Sequence, residues 1–155
     1  MMDDSRSKEI LEKIKRWCAY QERSVSEVKF KLRGWKVKPA QAEKIIETLK
    51  DDDFINDERY ATVFVSGKFR IKQWGRIKLK AELRAKGITD EFISKALGQI
   101  DEEDYLLALK NILDKKRSSL KDPDSRDSIV KLQKYAMSKG YEWELVRRLT
   151  VGSRH

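Results

Sequence analysis

The chain has 155 residues, with 35 Lys and Arg against 26 Asp and Glu, for a formal charge of +9 with histidine neutral. That length suits one ordinary domain or a short array of small repeats, and a composition 39% hydrophobic builds a core rather than a disordered chain. No apolar run of about 18 residues and no charged-then-apolar leader occurs, which argues against a membrane span or a secretory signal. Cys18 stands alone, which excludes intramolecular disulfides and cysteine-based zinc fingers. The one histidine, His155, removes most histidine-dependent catalysis and metal binding. The expectation is a soluble, basic, cytoplasmic protein, away from membranes, whose partners are polyanions or acidic proteins.

Helical signals dominate. From Ser7, the apolar positions Ile10, Leu11, Ile14, Trp17 and Cys18 follow the spacing of an amphipathic helix. Ser24 and Glu27 form a capping-box pattern ahead of a second helix carrying Val28 and Leu32. Pro39 suits the first turn of a third, with Ala42, Ile45, Ile46 and Leu49. Asn56 or Asp57 caps a fourth through Tyr60, Ala61 and Phe64, which fades by Trp74-Gly75. A fifth carries Leu79 and Leu83 and stops at Gly87, the usual residue for a left-handed cap. Thr89 caps a short sixth with Ile93, Ala96 and Leu97, and a seventh follows Tyr105, Leu106, Leu109, Ile112 and Leu113. Lys121 to Ser125, containing Asp122-Pro123-Asp124, reads as a loop. Two more helices follow, one over Ile129, Leu132 and Ala136 to Gly140, the other over Leu145, Val146 and Leu149. The sum is nine helices.

Val28, Phe30 and Leu32 alternate with lysines, as do Ile77, Leu79, Ala81 and Leu83 with polar neighbours, and alternation is a strand signature. A third copy of the segment decides for helix, because Ile129, Val130, Leu132 and Ala136 do not alternate. A shift of 51 pairs Lys29 with Lys80, Leu32 with Leu83, Arg33 with Arg84, Lys44 with Lys95 and Asp53 with Asp104. A further shift of 53 pairs Leu79 with Leu132, Lys86 with Lys139, Gly87 with Gly140 and Glu91 with Glu144. These registers predict an all-α fold of three tandem three-helix repeats, residues 7–55, 56–99 and 100–150, stacked into an elongated curved array.

The densest chemical feature lies between Lys68 and Lys86. Lys68, Arg70, Lys72, Arg76, Lys78, Lys80, Arg84 and Lys86 stand there against the single acid Glu82. On a helix Arg76, Lys80 and Arg84 form one stripe beside Leu79 and Leu83. Same-sign stripes repel themselves, and a phosphate backbone or an acidic groove relieves that repulsion; a solvated face would intersperse acids. Phe69 and Trp74 sit within the run and could stack on bases, although their helical spacing reads first as core.

Acids cluster at Asp51, Asp52, Asp53, Asp57 and Glu58, and again over Asp101 to Asp104. Both clusters stand where a new helix begins, so they read as caps complementing the helix dipole rather than as a magnesium site. Cys18 falls on an apolar face as a buried thiol, and Trp17, Trp35 and Trp143 read as packing between helices. No phosphate loop or dinucleotide fingerprint occurs, so the chain is read as neither an enzyme nor a cofactor or metal binder.

Two segments resemble the bacterial RecX family. Phe54-Ile55-Asn56-Asp57-Glu58-Arg59-Tyr60-Ala61 is similar to the family's hydrophobic-aspartate-x-Arg-aromatic-Ala segment. The run from Trp74-Gly75-Arg76-Ile77 through Glu82-Leu83-Arg84-Ala85-Lys86-Gly87-Ile88 resembles its Gly-x-x-Arg/Lys-Ile-x-x-Glu-Leu-x-x-Lys-Gly-Ile stretch. The likeness covers Ser7 to Leu149, strongest over Asp52 to Leu97; in the first repeat Lys36 stands at the usual glycine. The resemblance implies a non-enzymatic inhibitor of the RecA recombinase, acting in DNA recombination, repair and the SOS response. Such a protein binds the RecA–single-stranded DNA filament in its groove and limits ATP hydrolysis and strand exchange. The eight bases of the run are then the filament-binding or nucleic-acid-binding residues, and the chain acts as a monomer. A stand-alone helical DNA-binding protein, contacting duplex DNA through a recognition helix, needs the same bases and is the competing reading.

Overall fold

Local chemistry sets the helix starts. In the computed structural model, which describes residues 4–151, α1 (Asp4–Tyr20) is followed by α2 (Val25–Gly34), α3 (Pro39–Asp51) and α4 (Asp57–Gly67). A π-helical turn (Lys68–Lys72) leads to α5 (Arg76–Ala85), α6 (Asp90–Gly98), α7 (Glu102–Arg117), α8 (Arg126–Ser138) and α9 (Trp143–Thr150). Among the described residues no strand occurs; His155 lies outside them. The Ser24 hydroxyl accepts from the Glu27 amide while the Glu27 carboxylate accepts from the Ser24 amide, completing the expected box. Asn56 rather than Asp57 caps α4. Thr89 holds the cap position of α6, but its side chain makes no capping bond.

The fourth helix departs from expectation. It ends at Gly67 instead of fading at Trp74, and the chain widens into the π-helical turn before Gln73 closes it at φ +58°. A π turn leaves no periodicity that apolar spacing would reveal.

Alternation in the second helix of each unit proves to be two faces of a helix. Val28 and Leu32 are fully buried while Phe30 is exposed; Leu79 and Leu83 are buried while Ile77 is exposed. Residues four apart share a face and residues two apart do not.

Each of these helices then ends in the same turn. The amides of Val37, Ile88 and Tyr141 donate to the carbonyls of Leu32, Leu83 and Ala136 at 3.0, 3.1 and 3.2 Å. The residues before them, Lys36, Gly87 and Gly140, are left-handed at φ +62°, +77° and +99°. This is a Schellman cap made three times, with the apolar residue after the cap buried each time. The first unit makes its turn with Lys36 in place of glycine.

Buried side chains gather in three clusters in chain order. The first joins Ile14, Leu32, Ile45 and Leu49; the second Ala61, Leu79, Leu83 and Ile93; the third Tyr105, Leu109, Leu132 and Tyr141. Each cluster draws on three successive helices, as tandem units too small for a common core require. The accessible surface of 10217 Å² exceeds the value of about 8,100 Å² typical of a globular monomer of 18.3 kDa, as an elongated array demands. Cys18 is buried in the first cluster, and that burial pushes its thiol up to about 11.

Candidate nucleic-acid interface

The basic run spans three structural settings. Lys68, Arg70 and Lys72 lie on the π-helical turn; Arg76, Lys78, Lys80 and Arg84 lie on α5; Lys86 caps its C-terminus. Between them Gly75 packs its backbone against the turn of the third unit. Its amide donates to the Lys139 carbonyl at 2.7 Å and the Ile77 amide to the Gly140 carbonyl at 3.0 Å. A β-carbon on Gly75 would stand 2.4 Å from the Gly140 carbonyl carbon, so only glycine permits this approach.

The stripe read from the sequence is not uniform. Arg76 is a clasp between units: its guanidinium pairs with Glu142 at 2.8 Å and with Glu102, and lies 3.8 Å from the centre of the Tyr105 ring. Its backbone amide donates to the Tyr105 hydroxyl at 2.9 Å, and that hydroxyl donates to Glu142. Burial pulls the Arg76 guanidinium's pKa down, but the Glu142 hydrogen bond and charge outweigh it and hold it above its ordinary value. Burial, then the bond to Glu142, pushes the Tyr105 phenol well up. Arg84 forms a fork to Asp90 at 3.0 and 3.2 Å, and Lys86 pairs with Glu27 of the first unit at 3.4 Å. Three of the eight bases therefore have acidic partners, which corrects the picture of an unpaired stripe.

The other five form no ion pair, although Lys80 stands near enough to Asp90 to help hold its carboxyl below the usual range, after Arg84. Lys68 and Lys78 flank Trp74 with amines 5.2 and 4.6 Å from its ring centre. Arg70 donates to the Ser66 carbonyl at 3.3 Å. Lys72 and Lys80 are exposed. Phe69 stacks on Tyr105 at 5.9 Å and packs between the second and third clusters; Trp74 is half-buried against Phe64. Both rings serve the core first, as their spacing suggested. Trp143, expected to pack between helices, is instead 44% exposed at the start of α9, because Tyr141 and Val146 take the buried places around it.

Sequence reasoning missed the cations of the neighbouring units that lie on aromatic rings, Lys13, Lys15, Arg23 and Lys31 in the first, Lys116 and Lys139 in the third. The 51- and 53-residue registers were a signal for Lys139 alone, which matches Lys86. The acidic clusters do act at helix starts: Asp101 accepts from the Glu103 amide, and Asp57 accepts from the Val25 amide at the start of α2.

Comparison with known proteins points one way. Residues 56–97 match the second three-helix domain of the RecX family. The chain is 32% identical to the regulatory protein RecX of Clostridium acetobutylicum over 121 residues, covering 76% of this chain and 56% of that protein. Against the regulatory protein RecX of Prosthecochloris aestuarii it is 28% identical over 147 residues, covering 95% of each. The chain spans about half the length of the Clostridium relatives it matches. A crystal structure of a regulatory protein RecX superposes with a TM-score of 0.84 at 21% identity, over 96% of this chain and 78% of the other. RecX from Lactobacillus salivarius gives 0.83 at 23% identity, over 92% and 93%. These two likenesses concern the fold.

Proposed function

Because the chain belongs to the RecX family of regulatory proteins, we propose that it inhibits a RecA recombinase by binding the RecA–single-stranded DNA filament. Three units, residues 7–55, 56–99 and 100–150, lie along the filament groove and limit ATP hydrolysis and strand exchange. Binding favours one filament state over another, so regulation needs no chemistry by this chain. The chain acts as a monomer in the cytoplasm. Among the described residues no helix is long and apolar enough to cross a membrane.

The observation that carries the reading is the set of five bases that form no ion pair, Lys68, Arg70, Lys72, Lys78 and Lys80, on the unit that matches the family. Of these, Lys80 feels a nearby acid, the Asp90 that Arg84 already holds. Arg76, Arg84 and Lys86 contribute to that surface through the contacts that place it. The test is DNA-dependent ATP hydrolysis by the cognate RecA, with and without the protein. Native protein lowers the rate, and a Lys72→Glu/Lys80→Glu variant of equal helicity lowers it far less. An undiminished rate with native protein, or equal inhibition by both proteins, overturns the reading.

A further inference from the structure

The first unit carries a surface outside the basic run. Lys13, Arg23 and Lys31 have no acidic partner and rest on indole rings instead. The Arg23 guanidinium lies 4.0 Å from the centre of the Trp17 ring, and its Nε donates to the Trp17 carbonyl at 3.1 Å. The Lys31 amine is 5.3 Å from Trp17 and 5.6 Å from Trp35, and the Lys13 amine is 4.5 Å from Trp35. Two of the nearby acids are already committed, Glu22 to Arg59 at 2.9 Å and Glu27 to Lys86 and the Ser24 amide, and Glu9 stands one turn before Lys13. The three cations leave the face positive on balance.

Exposed rings border it. Phe30 is 75% exposed on the side of α2 away from buried Val28 and Leu32, so it is no displaced core residue. Tyr20, 84% exposed, follows Trp17 by three residues on the same side of α1. Trp17, Ser26, Glu27, Phe30 and Lys31 line an open groove with Ala85 and Lys86 of the second unit, Glu27 being held by Lys86, so the groove runs up to the end of the basic run.

Aromatic faces interleaved with cations suit a strand whose bases are unpaired, since every base offers a π-face and every linkage a phosphate. Duplex DNA hides its base faces, and an acidic peptide answers only the cations. We propose that this aromatic groove binds the unpaired bases of a single nucleic-acid strand, stacking on Phe30, while Lys31 and Lys13 meet its phosphates. The inference deepens the filament reading and rests on it for the class of ligand. Cation-flanked rings recur in the other units, at Trp74 and at Tyr135 between Lys116 and Lys139. The first unit adds the two most exposed rings, Tyr20 and Phe30.

The experiment compares affinity for oligothymidylate and for an abasic deoxyribose-phosphate strand of the same length at one salt concentration. Native protein prefers the base-bearing strand by about tenfold, and Phe30→Ala at unchanged helicity brings the two affinities within about twofold. The salt dependence of Phe30→Ala stays native, because no phosphate contact is lost. A Phe30→Ala protein that keeps the full preference overturns the inference, as does polyglutamate displacing the oligonucleotide as well as an equal charge of abasic strand. Lys72→Glu/Lys80→Glu weakens both strands alike. Should that variant bind both normally while Phe30→Ala still loses base preference, the basic run fails and the groove stands.

Discussion

The two junctions between units share one design and differ in how tightly they close. In both, the turn after the second helix of one unit sits on the start of the second helix of the unit before it. At the second junction the contact is backbone on backbone, Gly75 and Ile77 to Lys139 and Gly140, sealed by Arg76, Tyr105 and Glu142. At the first junction side chains do the work. The Ser26 hydroxyl donates to the Lys86 carbonyl at 2.6 Å, Asp57 accepts from the Val25 amide at 2.9 Å, and Arg59 meets Glu22. There Ser24 stands where Gly75 does in the second unit, and Gly87, the counterpart of Gly140, has only the Ser26 β-carbon near its absent side chain, at 3.8 Å, whereas a β-carbon on Gly140 would stand 2.4 Å from that of Lys78. One repeat fold thus supports a joint closed by backbone and a joint closed by side chains, and the close approach at Gly75 and Gly140 marks the first kind.

Adding a methyl group at each joint separates them most. Gly75 has an ordinary φ of −80°, so Gly75→Ala tests close approach alone and is expected to cost about 3 kcal/mol in denaturant unfolding. Gly87→Ala has room and meets only the penalty of its left-handed φ, about 1 kcal/mol. Equal losses would erase the distinction.

The next effect concerns the clasp. Arg76→Met leaves the half-buried Glu142 without its guanidinium and the Tyr105 ring without the cation over its face, while the backbone bond to the Tyr105 hydroxyl stays, and is expected to cost about 2 kcal/mol. Arg84→Met removes an exposed fork and should leave the melting temperature unchanged. A melting comparison of the two checks this.

Alkali probes the same joint. Burial holds the phenols of Tyr60, Tyr105 and Tyr141 above their ordinary value, the last two at the second junction. A raised acid pKa gives stability that is complete below the unfolded value near 10 and is lost as pH rises beyond it. The Cys18 thiol, raised to about 11 by burial, loses its contribution the same way from about pH 9. Stability should therefore hold through neutrality and fall by roughly 2–3 kcal/mol by pH 10, with Cys18→Ala and Tyr105→Phe each losing less. Chemical denaturation across pH reads this directly.

The smallest change is a gain. Lys36 adopts φ +62° where the other units use glycine, so Lys36→Gly is expected to add about 0.5 kcal/mol. A loss would mean that the Lys36 side chain contributes more than its backbone strain removes.

Most of the fold was legible because its signals are local. Ser24 with Glu27, Pro39, Asn56 and the glycines at 87 and 140 mark helix ends through bonds spanning a few residues. Lys36 shows the limit of reading glycine as the only sign of that turn. The candidate surface was legible as charge and not as pairing. Glu27, Glu102 and Glu142 reach Lys86 and Arg76 across 59, 26 and 66 residues, and no helical spacing links them. The aromatic contacts of Lys13 and Lys31 escaped notice for the same reason, since the helix periodicity that marks Trp17 as apolar is silent on what crosses over it.

Filament recognition is the central claim, and one comparison tests it most directly. Affinity is measured for RecA alone, for bare single-stranded DNA and for the assembled ATP-bound filament, all at one salt concentration. A protein that contacts both components must bind the filament more tightly than either part, because only differential affinity shifts filament growth. The account predicts that order, with inhibition of hydrolysis tracking occupancy of the filament. Equal affinity for bare strand and filament, with no effect on hydrolysis beyond masking of the strand, would contradict it.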